Sequence, residues 1–404
     1  MKILQINSVG NSGSTGRIAE QIGLEIIKNG GESYIACARN ISTSQSNLIK
    51  IGTKLHVYLN VLWFRIFGTD GPFSILPTKK LIKQIKEINP DIIHLHNTHG
   101  YYLNNSILLK FLAEYNKPVV WTIHSCWIFT GHCTHFDFVR CDKWKTSCSN
   151  CPQLRYYPKT YFFDRSTEIH KSKRSAILKI KNLTFTPVSD WLAGLIKESA
   201  YSNYKTIAVR NGLALDMFKP TAPNIILKYN IPAKKIVLFV ASPWTQRKGF
   251  HYIPNIQKKL GDDFVCVVVG VNSKQKEFLK KYNIIAIERT ENVRELCELY
   301  TIASVFANPT LEEALSMVNL EALACGTPVV TFNSGGTKET ITNTEIGSVI
   351  EHNEDIMCQE IIRFSNIDKK LISKKCRQSV EENFDKNHVW QKYINIYKNI
   401  LNNS

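Results

Sequence analysis

Short apolar runs recur along this chain, separated by longer stretches in which apolar residues return every three or four positions. Ile3-Leu4-Gln5-Ile6 is followed by a helical period from Ile18 to Lys28 and then by Tyr34-Ile35-Ala36-Cys37-Ala38. Continuous apolar runs fit strands buried on both faces, and the intervening period fits crossover helices, so the opening reads as βαβ. The rhythm continues through Asp91-Ile92-Ile93-His94-Leu95, Pro118-Val119-Val120-Trp121-Thr122 and Leu183 to Val188. It restarts near residue 204 with Thr206-Ile207-Ala208-Val209, Ile236 to Val240, Phe264 to Val269, Val305-Phe306-Ala307 and Val329-Val330-Thr331. The pattern predicts an α/β protein of two doubly wound domains, 1–203 and 204–385, with the polar stretch Ser199 to Lys205 as a hinge. An amphipathic helix over 386–404, carrying Trp390, Tyr393, Ile394 and Tyr397, is expected to pack back on the first domain.

The length of 404 residues agrees, being too long for one ordinary core and suited to two domains of roughly 200 residues. Of the net charge of +17, the first 200 residues hold most, with 25 basic against 13 acidic side chains. Such an excess suits an anionic partner: a phosphate-bearing substrate, a phospholipid surface or nucleic acid. A plain solvated basic surface has the same composition. Met1 to Asn7 runs directly into a strand pattern, without the charged and apolar regions of a signal peptide, and no apolar run reaches 18 residues. A cytoplasmic protein is expected.

In open parallel sheets ligands bind beyond the carboxyl ends of strands. Gly10-Asn11-Ser12-Gly13-Ser14-Thr15-Gly16-Arg17 follows the first strand, and Gly13, Ser14 and Gly16 are candidates to hold a phosphate. The spacing is G-x-x-G-x-x-G and not the dinucleotide fingerprint, and Ala38-Arg39-Asn40 lacks the acidic ribose ligand. A tight structural turn explains the loop equally well. More informative is the stretch from Asn308 to Val330, in which Glu313 precedes a helix expected from Ser316 to Cys325 and Glu321 lies on its second turn. Free amides near Ser316, Met317 and Val318 would suit a diphosphate, with one carboxylate toward each end of the ligand.

Glu313 and Glu321 form an E-x7-E pattern, and with its flanks the stretch resembles retaining glycosyltransferases of family 4, which have the GT-B fold. Val209-Arg210-Asn211-Gly212-Leu213, Arg247-Lys248-Gly249 and Asp91-Ile92-Ile93-His94-Leu95-His96-Asn97 carry the same resemblance. It implies two Rossmann-like domains facing across a cleft, a UDP- or GDP-sugar donor held by the second and a glycan acceptor, expected to be a lipid-linked surface-polysaccharide intermediate, held by the first. Arg247 and Lys248 match the cations that neutralise the donor diphosphate, Glu321 the group on the ribose hydroxyls and Glu313 the one facing the sugar. His124 matches the histidine beside the reacting centre, with His94, His96 and His99 as weaker candidates. One departure is Ala314-Leu315-Ser316 where many members have Gly-Phe-Gly. No Asp-x-Asp pair is present, so catalysis is expected to need no metal. Against this stand two other readings, a dinucleotide-dependent oxidoreductase and a basic nucleic-acid-binding protein; the second lacks a nucleic-acid motif, and no such partner is expected.

Cys133, Cys141, Cys148 and Cys151 follow a C-x7-C-x6-C-x2-C spacing. Four thiolates in so short a loop suggest a structural zinc, with unligated thiols as the alternative. Leu55 to Ile66 and the basic run Lys79 to Lys86 suggest either an interfacial helix on an anionic membrane or an ordinary packing helix. The resemblance favours a peripheral place on the inner face of the plasma membrane.

Overall fold

The computed structural model describes residues 1–403, which form two compact units, 1–210 with 390–403 and 211–389. The first is a parallel sheet of seven strands: β1 (Lys2–Ile6), β2 (Glu32–Cys37), β3 (Asn47–Lys50), β4 (Ile92–Leu95), β5 (Val119–Ile123), β6 (Leu183–Pro187) and β7 (Lys205–Thr206), in the order β3-β2-β1-β4-β5-β6-β7. The order reverses between β1 and β4, the position at which ligands gather in such sheets. The second unit has six parallel strands: β8 (Lys235–Val240), β9 (Phe264–Val269), β10 (Ile285–Ile287), β11 (Val305–Asn308), β12 (Val329–Phe332) and β13 (Gly347–Ile350), ordered β10-β9-β8-β11-β12-β13. Both sheets are doubly wound, as the chain pattern predicts.

The strands legible in the sequence are the inner ones. β4, β5, β6, β9, β11 and β12 are buried along their whole length, so every position is apolar or hydrogen-bonded. The edge strands β3, β10 and β13 have no more than four residues, are only partly buried and escape such a reading.

Three expectations need correction. The residues expected to open the second domain instead add β7 to the first sheet, parallel to β6 through Thr184–Lys205 and Phe185–Thr206, because β6 would otherwise be a bare edge. The unit boundary therefore lies at 210/211 and not 203/204. The last helix spans Lys386–Asn402 and the second boundary falls inside it, at 389/390 and not 385/386. Its later turns belong to the first unit, where Tyr393 and Tyr397 hydroxyls meet Thr122 Oγ1 at 3.0 Å and His94 Nδ1 at 2.7 Å. Lastly, the first helix begins at Gly13, so Gly13, Ser14 and Gly16 occupy its first turn and not a loop. Gly13 sits at φ +60°, a left-handed entry that glycine adopts without strain.

Candidate active-site residues in the two units

In the second unit the chain leaves β8, makes a short turn over Gln246–Lys248 and reverses at Gly249, whose φ is +77°. A side chain there would overlap the Pro309 carbonyl oxygen, so this close approach of two loops requires glycine. Leu311 N–H donates to Arg247 O at 2.8 Å and ties the loop after β8 to the loop after β11. Lys248 Nζ thereby lies 2.5 Å from Glu313 Oε2, and Arg247 pairs with Glu312. Two successive cations face two successive carboxylates. In a partly dry site such pairs attract strongly, yet an entering diphosphate competes for the same cations.

The helix after this loop runs Met317–Ala324. Asn308, buried at the end of β11, spends its Nδ2 on Ser316 Oγ at 2.9 Å and Asn319 Oδ1 at 2.8 Å. Ser316 holds the N-cap position without capping the helix through its side chain, which leaves the first-turn amides of Met317 and Val318 for a ligand. Its φ of −79° is open to any residue, so the missing glycine does not disturb the backbone. Glu313, Met317, Val318 and Glu321 are only part-buried, whereas Ala314, Leu315 and Ser316 are buried. Met317 and Glu321 are four residues apart and share a helix face. Glu321 Oε2 accepts from the Tyr300 hydroxyl at 3.0 Å, which fixes the carboxylate. Burial and that carboxylate push the Tyr300 phenol well above its ordinary value, so it stays a donor.

In the first unit, the ends of β1, β4 and β5 bring Asn7, Asn97 and the first helical turn together: Thr15 Oγ1 accepts from both Asn7 and Asn97 Nδ2 at 3.4 Å. Ser12 offers this helix no side-chain cap, so its amides too are open to an anion. Gly13 and Ser14 are exposed and Gly16 is buried. His124 follows β5, and its Nε2 lies 3.1 Å from His96 Nδ1. His96 Nε2 lies 3.0 Å from Gln5 Oε1, and Gln5 Nε2 donates to Ala19 O at 2.8 Å. Because a carbonyl only accepts, the network assigns the tautomers: Gln5 turns its oxygen to His96, which donates from Nε2 and accepts at Nδ1. His124 then donates from Nε2 and keeps a lone pair on Nδ1. Burial holds His124 down at about 3 and His96 well below its ordinary value, so both are neutral. His94 is structural, held by Thr122 Oγ1 and Tyr397 at 2.7 Å each. His99 meets the Tyr157 hydroxyl at 3.3 Å and lies against Trp127.

The structure thus gathers Arg247, Lys248, Glu313, Ser316 to Val318 and Glu321 in the second unit, and Gly13, Ser14, Gly16 and His124 in the first. Glu312, Tyr300, His96 and Gln5 join them. Gln5 had a signal, a polar residue inside an apolar strand; Tyr300 had none.

Cys133, Cys141, Cys148 and Cys151 do line one cavity of about 20 Å³. Cys148 Sγ accepts from Gly131 N–H at 3.3 Å. Cys133 and Cys151 share a hydrogen bond, which raises the Cys133 thiol and lowers that of Cys151. Among the described residues no three His, Cys, Asp or Glu side chains are grouped to hold a metal.

Two family models match the chain: "Glycosyltransferase Family 4" over residues 15–151 and "Glycosyl transferases group 1" over 222–383. A protein of Escherichia coli (strain K12) named for colanic acid biosynthesis, the glycosyl transferase WcaC, is 22% identical over 99% of this chain and 100% of its own. Sucrose-phosphate synthase from Thermosynechococcus elongatus superposes with a TM-score of 0.73 at 17% identity, covering 100% of this chain and 99% of that one. Anabaena HepE, solved in complex with UDP, gives 0.65 at 13% identity over 99% and 100%. These likenesses establish the fold.

Proposed function

The chain belongs to the glycosyltransferases, with the GT-B fold, and from that premise we propose that it moves a sugar from a nucleoside-diphosphate donor, a UDP or GDP sugar, to a glycan acceptor with retention of configuration. The observation that carries this reading is the pair Lys248–Glu313 at 2.5 Å beside the open amides of Met317 and Val318. Cations and amides converge where a diphosphate would sit, and charge grows on that group as the glycosidic bond breaks. Fixed donors act most strongly on charge that develops in the transition state. Arg247 and Lys248 turn from their carboxylates to the diphosphate; Glu321, steadied by Tyr300, receives the ribose hydroxyls; Glu313 faces the sugar. No protein nucleophile is required when the acceptor hydroxyl attacks from the leaving-group face and its proton passes to a departing diphosphate oxygen. His124, neutral with a lone pair on Nδ1, accepts a hydroxyl of the donor sugar and positions it. No divalent metal enters this scheme.

The colanic acid name of the E. coli relative favours a surface polysaccharide, built on a lipid-linked acceptor at the cytoplasmic face of a membrane. Supporting this, the helix Lys54–Phe67 leaves Leu55, Tyr58 and Leu62 exposed, and Leu76 projects from the next helix beside Lys79, Lys80 and Lys83. Exposed apolar residues beside lysines suit anionic lipid. Among the described residues no helix is long and apolar enough to cross a membrane.

The deciding experiment is thermal denaturation with UDP, GDP, TDP, CDP and NADPH, each with and without EDTA. Stabilisation by one nucleoside diphosphate irrespective of EDTA is expected. Stabilisation by NADPH alone would overturn the reading in favour of hydride transfer.

A further inference from the structure

The first unit contains a cavity of about 430 Å³, walled by Tyr101 and Trp127 and lined by Asp70, Asn105, His132 and Lys173. Its volume is that of a small-molecule site. Three buried polar atoms of its lining are unpaired: Asn105 Oδ1 and His132 Nε2, both acceptors, and His99 Nε2, whose ring meets the Tyr157 hydroxyl through Nδ1. Asn105, 7% exposed, gives its backbone N–H and its Nδ2 to Asp70 Oδ2 at 3.0 Å each, and its Oδ1 is left over. His132, 4% exposed, bonds the Leu154 backbone with one ring nitrogen, which must be the protonated one, and its Nε2 is left with a bare lone pair. Buried unpaired acceptors are costly and call for a donor.

Lys173 supplies the opposite polarity. Its Nζ donates to Trp127 O at 2.5 Å, sits 3.6 Å from the centre of the Trp127 ring and has further N–H bonds to give. Tyr101 holds φ at +68°, a conformation costly for an aromatic residue and one that concentrates at functional sites.

These features select among ligands. A phosphate or carboxylate would meet the Asp70 carboxylate and two lone pairs with lone pairs of its own. A cation would meet Lys173. A neutral ring bearing several hydroxyls both donates to Asn105 and His132 and accepts from Lys173, and its C–H face suits an aromatic wall. We propose that this cavity is a subsite for one neutral hexopyranose unit of the acceptor. The proposal rests on the glycosyltransferase reading for the word acceptor, whereas the site itself rests on the unpaired atoms.

The test is saturation-transfer NMR on the full chain with the methyl pyranosides of glucose, galactose and mannose. At least one should bind. His132→Phe removes the Nε2 acceptor while keeping a ring beside Phe64, and Ser172→Trp narrows the cavity from an exposed rim position. Each should weaken glycoside binding by about tenfold or more while leaving stabilisation by the nucleoside diphosphate unchanged. Failure of all three glycosides to bind, or binding indifferent to both variants, would overturn the subsite. Binding that responds to the variants, in a chain that transfers no sugar from any nucleotide, would instead overturn the glycosyltransferase reading and leave the subsite standing.

Discussion

In the first unit, Nε2 of His124 lies 3.1 Å from Nδ1 of His96, and the two imidazoles stack with 5.4 Å between centroids. Gln5 fixes which nitrogen of each ring carries the proton, so a strand residue far from His124 in sequence sets what His124 offers a sugar. His124→Ala should lower kcat by roughly tenfold to a hundredfold with little change in nucleotide affinity. Gln5→Leu leaves the His96 N–H unpaired and removes the side-chain bond to Ala19 O; it should lower kcat in the same direction and cost ~1–3 kcal/mol of stability. Steady-state kinetics beside denaturant titration separates the two effects, and an unchanged kcat in both variants would remove His124 from the reaction.

Glu321 and Tyr300 should form a graded pair. Glu321→Ala removes a charged acceptor and should weaken nucleoside diphosphate binding by roughly tenfold to a hundredfold. Tyr300→Phe removes only the bond that steadies the carboxylate and should cost a few-fold. Calorimetric titration with the preferred nucleotide measures both, and the order of the two losses is the informative result.

Acid should destabilise the first unit before most carboxylates protonate. His94 is fully buried and held at about 3, and His99 and His124 are likewise lowered to about 3 by burial. An unfolded histidine has a value near 6.5, so between pH 6.5 and 3 the unfolded chain binds more protons than the folded one. Stability conferred by these neutral rings is therefore complete above pH 6.5 and falls as pH drops toward 3. A single ring such as His94 contributes on the order of 5 kcal/mol to the loss by pH 3, and neighbouring rings add less than independently. The melting temperature, followed from pH 7 to 4, should fall steadily; a flat profile over that range would show that the rings are hydrated.

Elemental analysis after purification without chelators should find less than about 0.2 zinc per chain, since no three His, Cys, Asp or Glu side chains are grouped to hold a metal among the described residues. Iodoacetamide should label Cys151 ahead of Cys133, because the hydrogen bond lowers the first thiol and raises the second. One zinc per chain would mean that the four thiols rearrange around an ion.

Vesicles containing phosphatidylglycerol should sediment the protein, and added salt should release it. Replacing exposed Tyr58 and Leu62 together by Glu should abolish sedimentation without changing the melting temperature, since neither side chain is in the core. Equal sedimentation of both forms would move the membrane contact elsewhere.

The one-dimensional pattern determined the fold class because interior parallel strands are buried on both faces and must be apolar or hydrogen-bonded throughout, as β9 and β5 are. The strand end, turn and helix start that lie close together between Asn308 and Val330 drew attention to Glu313 and Glu321, and the resemblance to family 4 glycosyltransferases marked Arg247 and Lys248. Tertiary structure decided the rest. Nothing in the chain pattern ties Tyr300 to Glu321, Gln5 to His96 or Asn105 to Asp70, since each bond joins residues on different elements. It decided, too, that Thr206 closes the first sheet, because whether a short segment pairs depends on which edge lies beside it. The four cysteines illustrate the difference most directly: their spacing brings them to one cavity, while which sulfur faces which is set by side-chain geometry that spacing does not fix.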